Sequence, residues 1–333
     1  MKIVLVTPNY HQPRGNTITV KRISDKLNSR GIETEIVSIT EDHHVNMLPP
    51  ADLVHGFHAY RFFKFKETLH QKMDTYVITM TGTDLNHDLF NDERRSDVIQ
   101  SVTEASAVHV FSEKARNILL KEVPEIKEKT FVIPQGTTNF TTTDFTIQKE
   151  DNTFLFVLPA GIRKVKNVPF AIHTLKKLHE KLPYVRLLLV GPIIEKDEGQ
   201  LVKNLVEENK DWVQYIGQVS HHEMGAIYKH ADAVLNTSHS EGQSTAIIEA
   251  MSLRIPLLVS GNEGNLSLIT HNQTGFVYND EGEFLEYAEQ LVNNYEIREQ
   301  FGEAAEKHIN KHHTNTSEVE MLLKIYEDVL VKP

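Results

Sequence analysis

The sequence predicts an α/β protein in which one architecture occurs twice: two open domains, each a parallel sheet flanked by helices, facing each other across a cleft. Three observations predict it. Short β-branched runs alternate with stretches of helical period, as in parallel strands joined by helical crossovers. That alternation stops in a polar, threonine-rich stretch and then starts again. The 333 residues also exceed what one core usually fills, roughly 250 to 300 residues, and suit two.

In the first half, strands are expected at KIVLVT, IETEIVSI, DLVHGF, TYVITMTG, AVHVFS and TFVIPQG. Between the first two lies a helical segment, TITVKRISDKLNSRG, ending at Gly31, a suitable C-terminal stop. The stretch TTNFTTTDFTIQKEDN has no sustained period and reads as the linker. The first domain is therefore set at 1–148 and the second at 149–314. The pattern restarts with TFLFVLPAG, a helix from near Asn167, VRLLLVGP, a helix near 198 to 209, and WVQYIGQV. SHHEMGAIYKHA follows, with Ser220 and Glu223 at capping-box spacing. DAVLNTS, a further helix, IPLLVSG and GFVYN complete the second set, and residues 315–333 read as a last helix packing back on the first domain.

Composition narrows the function classes. There is no cysteine, so no disulfide framework, thiolate metal site or thiol nucleophile can form, and a reducing cytoplasm fits. The net charge of -11 is uneven. Residues 1–150 hold 18 Lys and Arg against 20 Asp and Glu, giving -2, while 151–333 hold 17 against 26, giving -9. An acidic second half argues against nucleic acid, whose phosphates need clustered cations. The opening MKIVLVTPNY breaks at Pro8 and reads as a strand, not a signal peptide. No apolar run approaches the roughly 18 residues of a membrane span.

The chemistry concentrates in residues 238–253, SHSEGQSTAIIEAMSL. A helix starting near Ser244 places Thr245, Glu249 and Ser252 on one narrow seam, with Ala246, Ile247, Ala250, Met251 and Leu253 covering most of the rest. An ionised Glu249 on that seam must face water or a hydrogen-bonding ligand. The helix follows a strand through a glycine-bearing turn, and such a helix start offers orphan N–H groups and a favourable dipole to an anion. A phosphate there leaves Glu249 one turn deeper, placed to accept from hydroxyls.

The pattern SxxEGxSxxxxEAM resembles the ExxxxxxxE motif of the family-4 retaining glycosyltransferases, the glycosyl transferases group 1 set with the GT-B fold of two Rossmann-like domains. Gly15 in the first loop, GTD at 82–84, IPQG at 133–136, AGIRKVKN at 160–167, VGP at 190–192, IGQVS at 216–220 and NQTGFVY at 272–278 agree in order. The resemblance implies a nucleotide-sugar donor, with Glu249 on ribose hydroxyls and Glu241 on the transferred sugar. Gly242, Gln243, Ser244 and Thr245 would offer backbone donors to sugar and diphosphate. Family members usually have Phe-Gly where this chain has Gln243-Ser244. Arg163 and Lys166 match the family's basic pair on the diphosphate, in place of a metal; without the resemblance, RKVK reads as a solvated loop. Gly15 and Asn16 would approach the diphosphate from the first domain. No GxGxxG follows the first strand, so no dinucleotide fingerprint is present.

On the acceptor side, HGFHAYR places His55 and His58 after the third strand, and TMTGTDLNHD places Thr83 and Asp84 after the fourth. Many relatives have histidine where this chain has Thr81, so His58 is the substitute. The implied activity is transfer of a hexosyl or N-acetylhexosaminyl group from a UDP-sugar co-substrate to a small-molecule, glycan or cell-envelope acceptor, without a cofactor. Rival readings are a nucleotide-sugar 2-epimerase of the same fold and a non-catalytic sugar-nucleotide-binding relative. YRFFKFKE at 60–67 has a composition that seats proteins on the inner face of an anionic membrane, against the plainer reading of core phenylalanines and solvated lysines. The histidine doublets at 43–44, 221–222 and 312–313 have no carboxylate at ligand spacing and suggest no metal site. Sequons at Asn139 and Asn236 are expected to be idle.

Overall fold

The computed structural model describes residues 1–12, 15–42, 46–137, 140 and 143–331. The chain divides into two units, Met1–Gly136 with His313–Pro333, and Thr137–His312. The sequence reading set these boundaries at 148/149 and 314/315. The first falls earlier because the threonine-rich stretch is not idle: Phe140, Phe145 and Ile147 pack against the second unit's core. His43, His44 and Asn139 lie outside the described residues.

In the first unit, β1 (Lys2–Thr7), β2 (Glu33–Ser38), β3 (Leu53–Phe57), β4 (Tyr76–Thr79), β5 (Ala107–Val110) and β6 (Thr130–Val132) form a sheet in the order β2-β1-β3-β4-β5-β6. In the second, β7 (Phe154–Pro159), β8 (Val185–Val190), β9 (Val213–Tyr215), β10 (Ala233–Asn236), β11 (Leu257–Ser260) and β12 (Phe276–Tyr278) take the order β12-β11-β10-β7-β8-β9. Every pairing is parallel. Strands β3, β4, β5 and β10 are buried at every position, as parallel sheets covered on both faces require. Several strands are shorter than their apolar runs. TYVITMTG contributes only Tyr76–Thr79 and WVQYIGQV only Val213–Tyr215, because the residues beyond leave the ladder to build loops at the carboxyl edge.

Alternation assigns the faces. Val4 and Val6 enter one core of the first unit. Ile3 and Leu5 enter the other, under the helices Gly15–Ser29 and Asn315–Val331. The last helix is fixed to this sheet in two ways. Arg22 donates to both carboxylate oxygens of Glu318, at 3.1 and 2.8 Å, with both side chains buried. Tyr326 begins a buried line of hydrogen bonds: its hydroxyl meets His55 Nδ1 at 2.6 Å, and His55 Nε2 meets the Thr79 hydroxyl at 2.6 Å. That hydroxyl meets His109 Nδ1 at 2.8 Å, and His109 Nε2 reaches the Ile133 carbonyl at 2.9 Å. Burial pushes both imidazoles below their ordinary pKa, so they join the line uncharged.

Each sheet reverses its strand order once, between β1 and β3 in the first unit and between β7 and β10 in the second. In open α/β sheets, ligands bind outside the carboxyl ends of the strands at such a reversal. The loops after β1, β3, β7 and β10 are therefore the places to look.

Candidate active site

In the second unit the reversal brings together loops far apart in sequence. After β7 the chain makes a short 3₁₀ turn, Lys164–Lys166, and Asn167 takes a left-handed conformation, φ 49°, before the helix Val168–Lys181. After β10 it runs through Thr237–Ser244 into the helix Thr245–Ser252. The loops are laced together. The Thr237 hydroxyl donates to the Lys166 carbonyl at 2.8 Å, and the His239 amide donates to the Val165 carbonyl at 2.9 Å.

Across this junction Lys166 Nζ lies 2.5 Å from Glu241 Oε1. The same oxygen accepts from Ser238 Oγ at 2.7 Å and Asn236 Nδ2 at 3.1 Å. Burial pushes the Glu241 carboxyl up, but the charge and hydrogen bond of Lys166, with those of Ser238 and Asn236, outweigh it and hold the group below its ordinary pKa. Glu241, its side chain 10% exposed, is thus a largely enclosed carboxylate kept ionised by its setting. Arg163, at the head of the turn, has a buried Nε with no hydrogen-bond partner among the described residues. Gln243 and Thr245 are part-buried and Ser244 is buried. Ser244 precedes the first helical turn and caps it with no side-chain bond.

The 241–242 turn is held from behind by the helix Glu263–Leu266. A Cβ at Gly264 would lie 2.0 Å from the Gly242 carbonyl oxygen and 2.5 Å from that of Glu241, so only glycine admits this approach. Asn265, fully buried, donates to Asn236 Oδ1 at 3.1 Å and orients the amide that reaches Glu241. Asn236, one of the sequons, is thus spent on the site. Beside these loops lies a hollow of about 290 Å³ whose lining includes Asn167, Thr237, Ser238, Ser260, Asn262 and Asn279, hydroxyls and carboxamides that both donate and accept.

Glu249 is 3% exposed, so its seam faces inward and not toward bulk solvent. His221 Nε2 lies 2.5 Å from its Oε1, and the Tyr228 hydroxyl donates to Oε2 at 3.0 Å. Burial, then the Glu249 charge, raises the Tyr228 pKa well above its ordinary value. Sequence reasoning missed both partners. Ser220 does not cap the following backbone; its hydroxyl bonds the Glu223 carboxylate directly.

In the first unit, Gly15 is exposed and opens the helix Gly15–Ser29, and Asn16 is part-buried beside it. His55 is not in a loop as expected. It lies within β3, fully buried. His58 does follow β3, with φ 75° and ψ 91°, a backbone region that costs a non-glycine residue about 1–3 kcal/mol. Its ring is 7% exposed, Nε2 is 3.7 Å from Asp88 Oδ2, and Nδ1 has no partner among the described residues. Arg94 holds the other Asp88 oxygen at 2.8 Å. Thr83 is exposed. Asp84 is fully buried and committed to the fold: Oδ2 accepts from the Ala59 amide, Oδ1 from the Thr81 amide and hydroxyl. Burial raises its pKa against the pull of His58 and these donors. Asp88, which sequence reasoning passed over, is the carboxylate nearer the imidazole in position to pair with it.

The basic aromatic stretch is the helix Ala59–Lys66. Phe62 and Phe63 are core residues, Lys66 pairs with Glu104, and Lys64 pairs with Asp97. The patch proposed for membrane contact is therefore largely neutralised. No helix among the described residues is long and apolar enough to cross a membrane.

The sequence profile of one family, described as "Glycosyl transferases group 1", matches residues 139–308. This chain belongs to that family. The match contains Arg163, Lys166, Glu241 and Glu249, and the chain is accordingly a glycosyltransferase. A relative from Xenopus tropicalis, "Glycosyltransferase 1 domain-containing protein 1", is 28% identical over 312 residues, 90% of each chain. A probable sucrose-phosphate synthase from Thermosipho melanesiensis is 28% identical over 55% of this chain and 44% of its own. Among solved structures, HepE from Anabaena in complex with UDP and glucose superposes with a TM-score of 0.77 at 15% identity, covering 98% of this group 1 glycosyltransferase and 100% of HepE. Sucrose-phosphate synthase from Thermosynechococcus elongatus gives 0.81 at 14% over the whole of both chains. These likenesses confirm the GT-B fold.

Proposed function

We propose that this glycosyltransferase is a retaining, metal-independent enzyme of family 4 that moves a hexosyl or N-acetylhexosaminyl group from a UDP-sugar to a hydroxyl-bearing acceptor. The observation that carries the reading is the pairing of Lys166 with a largely enclosed, ionised Glu241, next to an Arg163 whose Nε has no partner among the described residues and a helix start uncapped by Ser244. Cationic charge and oriented N–H groups are what a departing nucleoside diphosphate requires, because negative charge develops on it as the glycosidic bond breaks. Lys166 and Arg163 would take that charge, Gly242, Gln243, Ser244 and Thr245 would supply backbone donors, and Gly15 and Asn16 would complete the diphosphate contacts. Glu241 would accept from hydroxyls of the transferred sugar and Glu249 from the ribose. His58, backed by Asp88, would serve the acceptor. UDP as the nucleotide is supported by relatives of the same fold whose complexes hold it.

The test is direct. The protein is incubated with UDP-glucose, UDP-N-acetylglucosamine and their GDP counterparts in EDTA, with UDP or GDP release followed and products examined by NMR. Release of UDP with an α-linked product is expected, and it falls at least about 10²-fold in Lys166→Ala. An inverted anomer, a strict metal requirement, or release unaffected by Lys166→Ala would each sink its part of the proposal. Isomerised sugar nucleotide without acceptor would identify an epimerase instead.

A further inference from the structure

The hollow beside the Glu241 loop is not walled by the side chains assigned above to a nucleotide sugar: Arg163, Lys166, Glu241 and Glu249 are absent from its lining. It sits at the carboxyl ends of β10, β11 and β12, between the starts of the helices Val168–Lys181 and Glu281–Asn293. Several groups there are not used by the fold. Asn167 precedes its helix in a left-handed conformation, φ 49°, yet its carboxamide makes no capping bond. The second residue of that helix is Pro169, which has no N–H, and the third, Phe170, gives its N–H to the Asn167 carbonyl at 3.2 Å. Neither position that an N-cap side chain serves has a free donor, and no described residue bonds the carboxamide. Asn279 gives Nδ2 to Glu283 Oε2 at 3.1 Å, while its Oδ1 has no partner among the described residues. Gly261, without a side chain, leaves room for that oxygen. Asp280 accepts the Glu283 amide on Oδ1 at 2.9 Å, and its Oδ2 has no partner among the described residues. The apolar part of the wall is aromatic: half-buried Phe170 lies parallel to the buried Tyr278, centroids 5.6 Å apart with 5° between the planes.

These groups select a class of ligand. Asp280 lines the hollow and, among the described residues, no Lys or Arg does, so a phosphate or carboxylate would meet an acidic wall without a cation to balance it. A wholly apolar molecule would leave the carboxamides and the carboxylate unmatched. A neutral sugar ring carries hydroxyls that donate and accept, and an apolar C–H face that suits an aromatic wall. The volume of about 290 Å³ lies at the lower end of ligand pockets, roughly 300–1,000 Å³, and suits a single ring.

We propose that this hollow is a saccharide subsite holding one ring of a neutral sugar other than the one transferred, with Asn167, Asn279 and Asp280 on its hydroxyls and Phe170 against its C–H face. It stands independently of the donor assignment. Saturation-transfer NMR on the whole protein, with and without saturating UDP, tests it with D-glucose, N-acetyl-D-glucosamine, maltose and the anion D-glucuronate. Wild type is compared with Asn167→Gly, Asn279→Ala and Glu241→Gln, with thermal unfolding to show that each variant is folded. Glycine accepts φ 49° and removes only the carboxamide. At least one neutral sugar should bind wild type in the presence of UDP, with glucuronate at least about fivefold weaker. Asn167→Gly and Asn279→Ala should each weaken the neutral sugar by about fivefold, the effect of one neutral hydrogen bond, and Glu241→Gln should change it little. Sugar binding lost in Glu241→Gln but kept in a folded Asn167→Gly would seat the sugar at Glu241 and overturn the proposal, as would the absence of sugar binding to wild type. Sugar binding without any binding of UDP would count against the donor assignment and leave this subsite standing.

Discussion

Gly264→Ala asks whether the 241–244 loop houses the chemistry without altering any residue proposed to meet a ligand. The added methyl would stand 2.0 Å from the Gly242 carbonyl oxygen and 2.5 Å from that of Glu241. Both obstacles are backbone atoms, so no side-chain rotation relieves them. Ordinary contact begins at 3.4 Å, and the difference between 3.4 and 2.0, about 1.4 Å, must come from movement of that loop or of the helix Glu263–Leu266 behind it. Overpacking of this kind costs about 1–3 kcal/mol in stability, and a misplacement of about 1 Å in a catalytic group costs on the order of 10²-fold in rate. UDP release at saturating donor should thus fall about 10²-fold, with a smaller change in UDP affinity, because Glu249 stays anchored by Tyr228. The assay pairs turnover with titration calorimetry and urea unfolding. A folded Gly264→Ala enzyme with wild-type turnover would show that the loop's position is immaterial to the reaction.

Three further outcomes are expected. Because the Glu241 pKa is depressed in the folded protein, its contribution to stability is fully present above its unfolded-state pKa and is lost as pH falls through the lower folded value. Urea unfolding of wild type and Glu241→Gln should therefore differ most at neutral pH and converge in acid; a constant gap would refute the assignment. His58→Gly should be more stable than His58→Ala by about 1 kcal/mol, since glycine accepts φ 75° without strain and both variants lose the imidazole equally; denaturant midpoints in the reverse order would show that the conformation is unstrained. Arg22→Met should cost about 3–5 kcal/mol by leaving Glu318 buried without its cation, and adding Glu318→Leu should restore much of it, as judged by urea midpoints.

The repeated α/β pattern was legible because fully buried strands leave long apolar runs; β1 was bounded to the residue, and β7 and β8 to within two residues at either end. Sheet order was not legible, since local periodicity says nothing about which strands are neighbours. The pairing of Lys166 with Glu241, 75 positions apart, depends on that order and could be approached only through resemblance. His221 was hidden for the same reason: its partner lies 28 positions away, and a histidine doublet carries no local sign of which ring turns inward. Asp84 illustrates the opposite failure. A carboxylate after a strand looks available in sequence, yet its oxygens accept from two backbone amides and a hydroxyl. The boundary at 136 was missed because Phe145 and Ile147 are too few to stand out among threonines, although they suffice to dock the segment.

The attachment of Asn315–Val331 to the first sheet sets an order of assembly on the ribosome. Leu322, Tyr326 and Val329 fill the same core as Ile3, Leu5 and Val20, so the segment Met1–Gly136 lacks one wall of its interior until the later-made helix Asn315–Val331 emerges. Thr137–His312 is continuous in the chain and can close as soon as it is exported. The later-translated unit can therefore mature first, while the strands of the first unit wait, partly uncovered, for the helix Asn315–Val331.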